Sequence, residues 1–193
     1  MKSVLISIQP KWVEKIANGE KTIEVRTTRP KIETPFKVNI YQSKKFVQAE
    51  IGEANKYRPF LRQNQGKVIG EFVCDKVYEL FPFGMGTGIE LLDELVSPEM
   101  FCKESCLTEQ EICDYIGEKD GYGWNISDLK IYDKPKELSE FKVECPTKNL
   151  INGDCNFCKY TNFSFYGNRP KCNAYLTRPP QSWCYVADLN DEN

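Results

Sequence analysis

The 193-residue chain contains no histidine. That removes the commonest general base and the commonest metal ligand. Any catalysis must draw on Lys, Asp/Glu, Cys or hydroxyl groups, and any zinc site on thiolates or carboxylates. Long apolar runs are also missing: nothing approaches the roughly 18 residues a membrane helix needs. The opening Met1-Lys2-Ser3-Val4-Leu5-Ile6-Ser7-Ile8 is too short and too alternating for a signal peptide. It reads as a strand with Val4, Ile6 and Ile8 on one face. No membrane partner and a cytoplasmic location are therefore expected. There is no internal repeat, and no low-complexity tract beyond a short acidic tail. The length suits one domain over 1–193 with a sizeable core and a small appendage.

The net charge of −2 looks unpromising for nucleic acid, but the charge is unevenly distributed. Residues 1–67 hold 14 Lys+Arg against 6 Asp+Glu, and residues 68–193 hold 12 against 22. Such blocks are either solvated faces or, for the basic half, a docking surface for an anionic partner.

The densest local signal is Asn18-Gly19-Glu20-Lys21-Thr22-Ile23-Glu24-Val25-Arg26. Before it, Pro10 to Ala17 reads as a helix, with Pro10 at its first position and Trp12 and Ile16 on one face. Gly19 suits the residue that closes a helix. Thr22 to Arg26 then alternates: Ile23 and Val25 point one way, Thr22, Glu24 and Arg26 the other. A carboxylate and a guanidinium share one strand face, with Lys21 at its entrance. These groups either pair among themselves or line a pocket. In a pocket, Arg26 offers a planar fork, Lys21 a mobile cation, and Glu24 an acceptor for a base amino group. Trp12 reads first as core, with base stacking as the alternative. Trp124, near Gly121 and Gly123, is the better stacking candidate because glycines let a ligand approach.

The spacing Gly19-x-Lys21-x-x-Glu24-x-Arg26 resembles the signature of the ASCH family, a branch of the PUA-like superfamily. The stretches Ser7-Ile8-Gln9-Pro10-Lys11-Trp12 and Val68-Ile69-Gly70-Glu71-Phe72 are similar to that family too. The resemblance spans roughly 2–141 and 176–188. It implies an α+β fold, a PUA-like mixed β-barrel of about five or six strands with two to four flanking helices. It also implies RNA or a nucleoside or nucleotide carrying a modified base as ligand, with Lys11 joining Lys21, Glu24, Arg26 and Trp124 as ligand-binding residues. A subset of ASCH-like proteins removes the acetyl group from N4-acetylcytidine, using a lysine and a threonine. The lysine matches Lys21, but Glu24 stands where that subset has its threonine. Hydrolysis would therefore rest on Lys21 with Glu24 as general base, or with Thr22 on the same strand face. Binding is the first expectation and amidohydrolysis the second.

Further strands are expected at Phe36–Ile40, Lys67–Leu80, Asn125–Tyr132 and Leu176–Val186. Gly70 suggests a bulge or close backbone approach. Ile89–Val96 reads as a helix. Thr108 and Glu111 form a capping box for another helix, ending near Gly117. Gly121–Trp124 looks turn-like. Between Gln42 and Gly66, Lys44, Lys45, Lys56, Arg58 and Arg62 alternate with Phe46, Tyr57 and Phe60, which suits a strand-tracking loop.

Nine cysteines are many for a chain with no export signal, and a reducing compartment points to metal over disulfides. Cys145, Cys155, Cys158 and Cys172 fall in one window, 145–175, that is poor in apolar residues. Cys155-Asn156-Phe157-Cys158 lets two sulfurs grip one tetrahedral ion. A structural Zn2+ would supply folding free energy, on the order of 10 kcal/mol in zinc peptides. Cys184 is read as a core thiol, although it is close enough in sequence to replace one ligand. Protein purified without added metal should carry about one zinc per chain by elemental analysis. Cys158→Ser should release it; wild type devoid of zinc would sink the expectation.

Overall fold

The computed structural model describes residues 3–44, 56–84, 86–143, 161–162, 171–172 and 175–187. The chain opens with β1 (Ser3–Ile8), α1 (Pro10–Ala17), β2 (Ile23–Arg26) and β3 (Phe36–Gln42). Next come α2 (Arg58–Gln63), β4 (Val68–Cys74), β5 (Val77–Phe83), β6 (Gly88–Leu91), α3 (Pro98–Ser105) and α4 (Glu109–Ile116). It continues through β7 (Gly121–Asn125), β8 (Ser127–Lys136), a 3-10 turn at Leu138–Glu140, β9 (Thr161–Asn162), β10 (Lys171–Cys172) and β11 (Trp183–Val186).

Two main sheets are built from these strands. One has five strands in the order β11-β1-β3-β4-β8, and the other four in the order β2-β7-β5-β6. β9 and β10 pair separately. β1 and β3 run parallel, because α1 and β2 intervene as a crossover; the remaining pairs in the two sheets are antiparallel. Alternation explains the layering. Val4, Ile6 and Ile8 of β1, with Val38 and Ile40 of β3, join Val13, Ile16, Phe72 and Trp124 in the main core. Leu5, Tyr41 and Val68 face the other way, under Phe141 and Val186. Ile23 and Val25 of β2 pack with Phe101, Ile112 and Ile116 of α3 and α4. The hydrophobic halves of β2 are thus held by helices, and its polar halves face the main core.

α4 also finishes the edge of the smaller sheet. The Ile89 N–H of β6 donates to a Glu109 carboxylate oxygen at 3.0 Å, and the Cys113 thiol donates to the Gly88 carbonyl at 3.1 Å. Side chains thereby occupy backbone groups that would otherwise template another strand. The capping box at Thr108 and Glu111 forms as expected, and it sets where this helix starts.

Several elements differ from the sequence reading. Ile89–Val96 is not a helix: Gly88–Leu91 is the strand β6, since its β-branched and apolar residues find a partner in β5. Lys67–Leu80 is two strands, broken at Asp75-Lys76 as the chain passes from one sheet to the other. Gly121–Trp124 is not a turn but β7, the strand between β2 and β5. The returning segment is a strand only over Trp183–Val186, after an isolated bridge at Tyr175. Within Gln42–Gly66, the described part carries the short helix α2, and Lys45 and Phe46 lie outside the described residues. Among the described residues, the nine strands of the two main sheets exceed the five or six expected, and the four helices reach the upper count. Gly70 does mark a close approach: a Cβ there would lie 2.5 Å from the Lys130 carbonyl oxygen.

Gly123 tests how tightly the two layers meet. An added Cβ would sit 2.5 Å from the Phe101 ring and 2.9 Å from Ile23 Cγ2, and Phe101 is fully buried with no room to retreat. Gly123→Ala should cost roughly 1–3 kcal/mol of unfolding free energy. Urea denaturation measures this, and an unchanged midpoint would show that the α3–β7 layer is looser than described.

Candidate functional site

β2 delivers the site. The turn after α1 leads into Lys21, and the two-residue period of the strand brings Glu24 and Arg26 onto the face opposite Ile23 and Val25. All three charged groups are buried: Lys21 is 2% exposed, Glu24 5% and Arg26 7%. They converge. Glu24 Oε1 lies 2.8 Å from Arg26 Nη2, and Glu24 Oε2 lies 3.5 Å from Lys21 Nζ. Lys21 Nζ donates to the Ser105 carbonyl at 2.6 Å, and Arg26 Nη2 donates to the Ser7 carbonyl at 2.8 Å. The constellation read from the sequence therefore meets in space, and α3 and β1 hold its two ends.

The charges do not balance. Two cations share one carboxylate in a region removed from water, where an uncompensated charge is costly. Burial pushes the Lys21 amine below its ordinary value of 10.5, against the opposing pull of Glu24. The half-buried Trp12 ring stands over this amine, with Lys21 Nζ 5.2 Å and Lys11 Nζ 4.3 Å from its centroid. Lys11 and Trp12 thus cover the cationic end from α1. Thr22 begins the entry to β2; its backbone bonds to Glu104 and Ile126, and no described contact joins its hydroxyl to Lys21 or Glu24.

Trp124 corrects the stacking expectation. It faces Glu24 directly across the β2–β7 ladder. It is 0% exposed, packed edge-on against Phe36 and Trp183. Its ring is core. Its indole Nε1, however, has no hydrogen-bond partner within the protein.

Trp124 Nε1 is one of six such atoms among the described residues. The others are Glu24 Oε2, Arg26 Nε, Gln42 Oε1, Ser43 Oγ and Ser182 Oγ. Glu24, Arg26 and Trp124 lie together, since Arg26 pairs with Glu24 and Trp124 faces Glu24 across the β2–β7 ladder. The other three lie at the C-terminal end of β1, Ser182 on its β11 side and Gln42 and Ser43 on its β3 side. Arg26 bonds to Ser7, the Ser7 N–H donates to the Ser182 carbonyl, and the Ser43 N–H donates to the Ile8 carbonyl. Gln42 pairs with Ile8 in the β1–β3 ladder. Buried polar atoms are ordinarily satisfied by protein, ordered water or ligand, so the orphans on Glu24, Arg26 and Trp124 mark a place where water or a ligand completes the site. Sequence reasoning missed Gln42, Ser43 and Ser182. One signal was available: Gln42 occupies the next inward position after Phe36, Val38 and Ile40, where an apolar residue is expected.

The cysteines divide. Burial pushes the Cys74 thiol up to about 12 and those of Cys102 and Cys184 to about 11, which keeps them protonated and poor as nucleophiles. Cys184 packs in the outer apolar cluster. Cys145, Cys155 and Cys158 lie outside the described residues, and Cys172 is described only as part of the backbone of β10. Among the described residues no group of three or more His, Cys, Asp or Glu is placed to hold a metal. No helix among them is long and apolar enough to cross a membrane.

The described residues form a mixed α+β domain of two main sheets and four helices, with a short helix running into a strand that carries buried charges, an arrangement consistent with the PUA-like fold. Within it, the chain belongs to the ASCH domain family, whose model matches residues 6–110. The crystal structure of the ASCH protein from Zymomonas mobilis is similar at 17% identity and a TM-score of 0.53, over 96% of this chain and 88% of that one. A point variant of the same Zymomonas mobilis protein is similar at 17% identity and a TM-score of 0.53, over 97% and 91%. These likenesses concern the fold. No curated protein matches the sequence.

The depressed Lys21 has a measurable consequence. Between its folded-state pKa and 10.5 the unfolded chain holds the proton and the folded chain does not, so stability rises with pH across that window. Below the window both states are protonated and the cost of burying the charge is fully present. Denaturant melts from pH 7.5 to 10.5 should show wild type gaining on Lys21→Met as pH rises. A constant difference would mean that Lys21 titrates as a free lysine does.

Proposed function

We propose that the chain binds RNA or a modified nucleobase, and that the base enters the site formed by Lys21, Glu24 and Arg26. The partnerless buried atoms of Glu24, Arg26 and Trp124, side by side on β2 and β7, carry this reading. A base edge presents donors and acceptors in one plane, and the site offers both kinds. Trp124 Nε1 and Arg26 Nε can only donate, and ionised Glu24 can only accept. A base reaches such an enclosed position as a free nucleoside, or taken out of its stack. The excess cation favours an electron-rich ligand atom near Lys21. Family membership and the basic N-terminal half support the same ligand class, the latter through phosphate attraction at longer range.

One observation favours a second reading. An amine held below its ordinary pKa has a larger neutral fraction, and a neutral lysine serves as base or nucleophile. The chain would then be an amidohydrolase acting on N4-acylated cytidine, with Lys21 as the catalytic group and Glu24 or Thr22 beside it.

Calorimetric titration with cytidine, N4-acetylcytidine and short single-stranded RNA tests the first reading. At least one should bind, and Lys21→Ala and Arg26→Ala should each weaken it about tenfold or more, the loss of a charged hydrogen bond. Thermal melts confirm that the variants fold. Absence of binding by all three ligands would end the reading. Incubation with N4-acetylcytidine, followed by chromatography, should give weak or no turnover, because Glu24 replaces the threonine of the hydrolase subset. Rapid turnover abolished by Lys21→Ala would establish the enzyme instead.

A further inference from the structure

The four-stranded sheet covers its two faces unequally. Leu80 of β5, with Ile89 and Leu91 of β6, points toward α3 and α4 and packs with Phe101 and Ile112. The alternate residues point the other way. Phe81 stands opposite Glu90 and Phe83 opposite Gly88, and the Leu92 N–H continues the ladder to the Glu79 carbonyl at 3.0 Å. Further in, Val77 stands opposite Trp124 of β7. The main core covers this second face at Trp124 and Val77. The face then runs out to Phe83, Glu90 and Leu92, all exposed. Phe83 is 65% exposed, Leu92 66%, and Leu95, just past the strand, 87%. We propose that this outer part of the face is a docking surface for an amphipathic, basic helix of a partner protein.

The apolar side chains supply the first argument. Large exposed side chains grouped on one sheet face mark an interaction surface. A cavity of about 290 Å³ adjoins them, lined by Val77, Tyr78, Glu79, Leu92 and Asp93. The Asp93 carboxylate pairs with Lys76 and accepts from the Leu95 N–H at 3.1 Å, which holds Leu95 at the cavity's side.

Charge selects the partner. Residues 77–102 contain five Asp+Glu and no Lys or Arg. Glu79 is matched by Arg29 at 3.2 Å and Asp93 by Lys76, both from outside that span. Glu90 and Glu94 are exposed, and no described contact gives either an ion pair. They attract Lys or Arg on a partner and repel RNA phosphates and anionic lipid alike.

The sheet edge selects the partner's shape. At the outer side of β6, the Ile89 N–H and the Gly88 carbonyl are already taken by Glu109 and Cys113. An extended peptide therefore finds no ladder to join there. A helix laid on the face needs no free backbone groups, and the opposite face already carries α3 and α4. The surface lies at the β6 edge and the charged site on β2 at the other, so the two can be filled independently.

The probe is a fluorescein-labelled helical peptide of leucine and lysine, with its leucines on one face, followed by anisotropy with the full-length protein. Wild type should bind it with a Kd of roughly 10 μM at low salt. The Phe83→Ser, Leu92→Ser pair should weaken binding about tenfold, although it changes no charge. The Glu90→Gln, Glu94→Gln pair should weaken it and flatten its dependence on salt. The Glu118→Gln, Asp133→Asn pair removes as much charge from exposed positions elsewhere and should leave binding unchanged. All six positions are exposed or at a rim, and thermal melts check that each variant folds. Full binding by Phe83→Ser, Leu92→Ser would reduce the contact to general charge attraction and overturn the proposal. So would an equal loss in the control pair, or no binding by wild type. Self-association of wild type that the Phe83→Ser, Leu92→Ser pair abolishes would also overturn it, because the occupant would then be a second copy of the chain.

Discussion

The contact on which this fold and its site both depend is the Arg26 guanidinium held between Glu24 and the Ser7 carbonyl. Arg26 belongs to the smaller sheet and Ser7 to the larger. The bond therefore stitches the two across the end where neither ladder continues. It also gives the buried Glu24 carboxylate a charged partner beside the fully buried Trp124. The pair contributes little net stability once its desolvation is counted. Its effect is on placement: it sets the position of β2 relative to β1, and so sets where Lys21 and the orphaned polar atoms stand.

The alternation of apolar and polar residues made much of this legible. Val4, Ile6 and Ile8, then Ile23 and Val25, show which face of each strand is buried, and Pro10, Thr108 and Gly117 bound helices by their own backbone chemistry. What stayed hidden depends on partners distant in sequence. Ile89 to Val96 is apolar enough for a helix, and only the proximity of β5 makes its first residues a strand. Gly121 and Gly123 look like turn residues because glycine suits turns. In the fold they are small because Leu80, Ile116 and Phe101 press on the positions their side chains would fill.

The site was partly legible for the same reason. Lys21, Glu24 and Arg26 are close in sequence, so a local pattern captured them. The buried polar atoms of Gln42, Ser43 and Ser182 come to the two sides of the C-terminal end of β1 from segments far apart, through the parallel β1–β3 pairing and the antiparallel return of β11. A polar residue at an inward strand position, as with Gln42, is the one local trace such a site leaves.

The pairing of β1 with β11 has a bearing on how the chain is made. β1 leaves the ribosome first among the described strands, yet one of its edges is filled by Trp183–Val186, the last of those strands to be made. Ser3 opposite Val186 is a contact of extreme sequence separation, and its loop-closure entropy must be met before it contributes anything. During translation the strand richest in buried aliphatic residues therefore carries an unpaired edge until the last strand emerges. The nascent chain is most exposed to mispairing over that interval, and the five-stranded sheet is complete only once Trp183–Val186 has emerged.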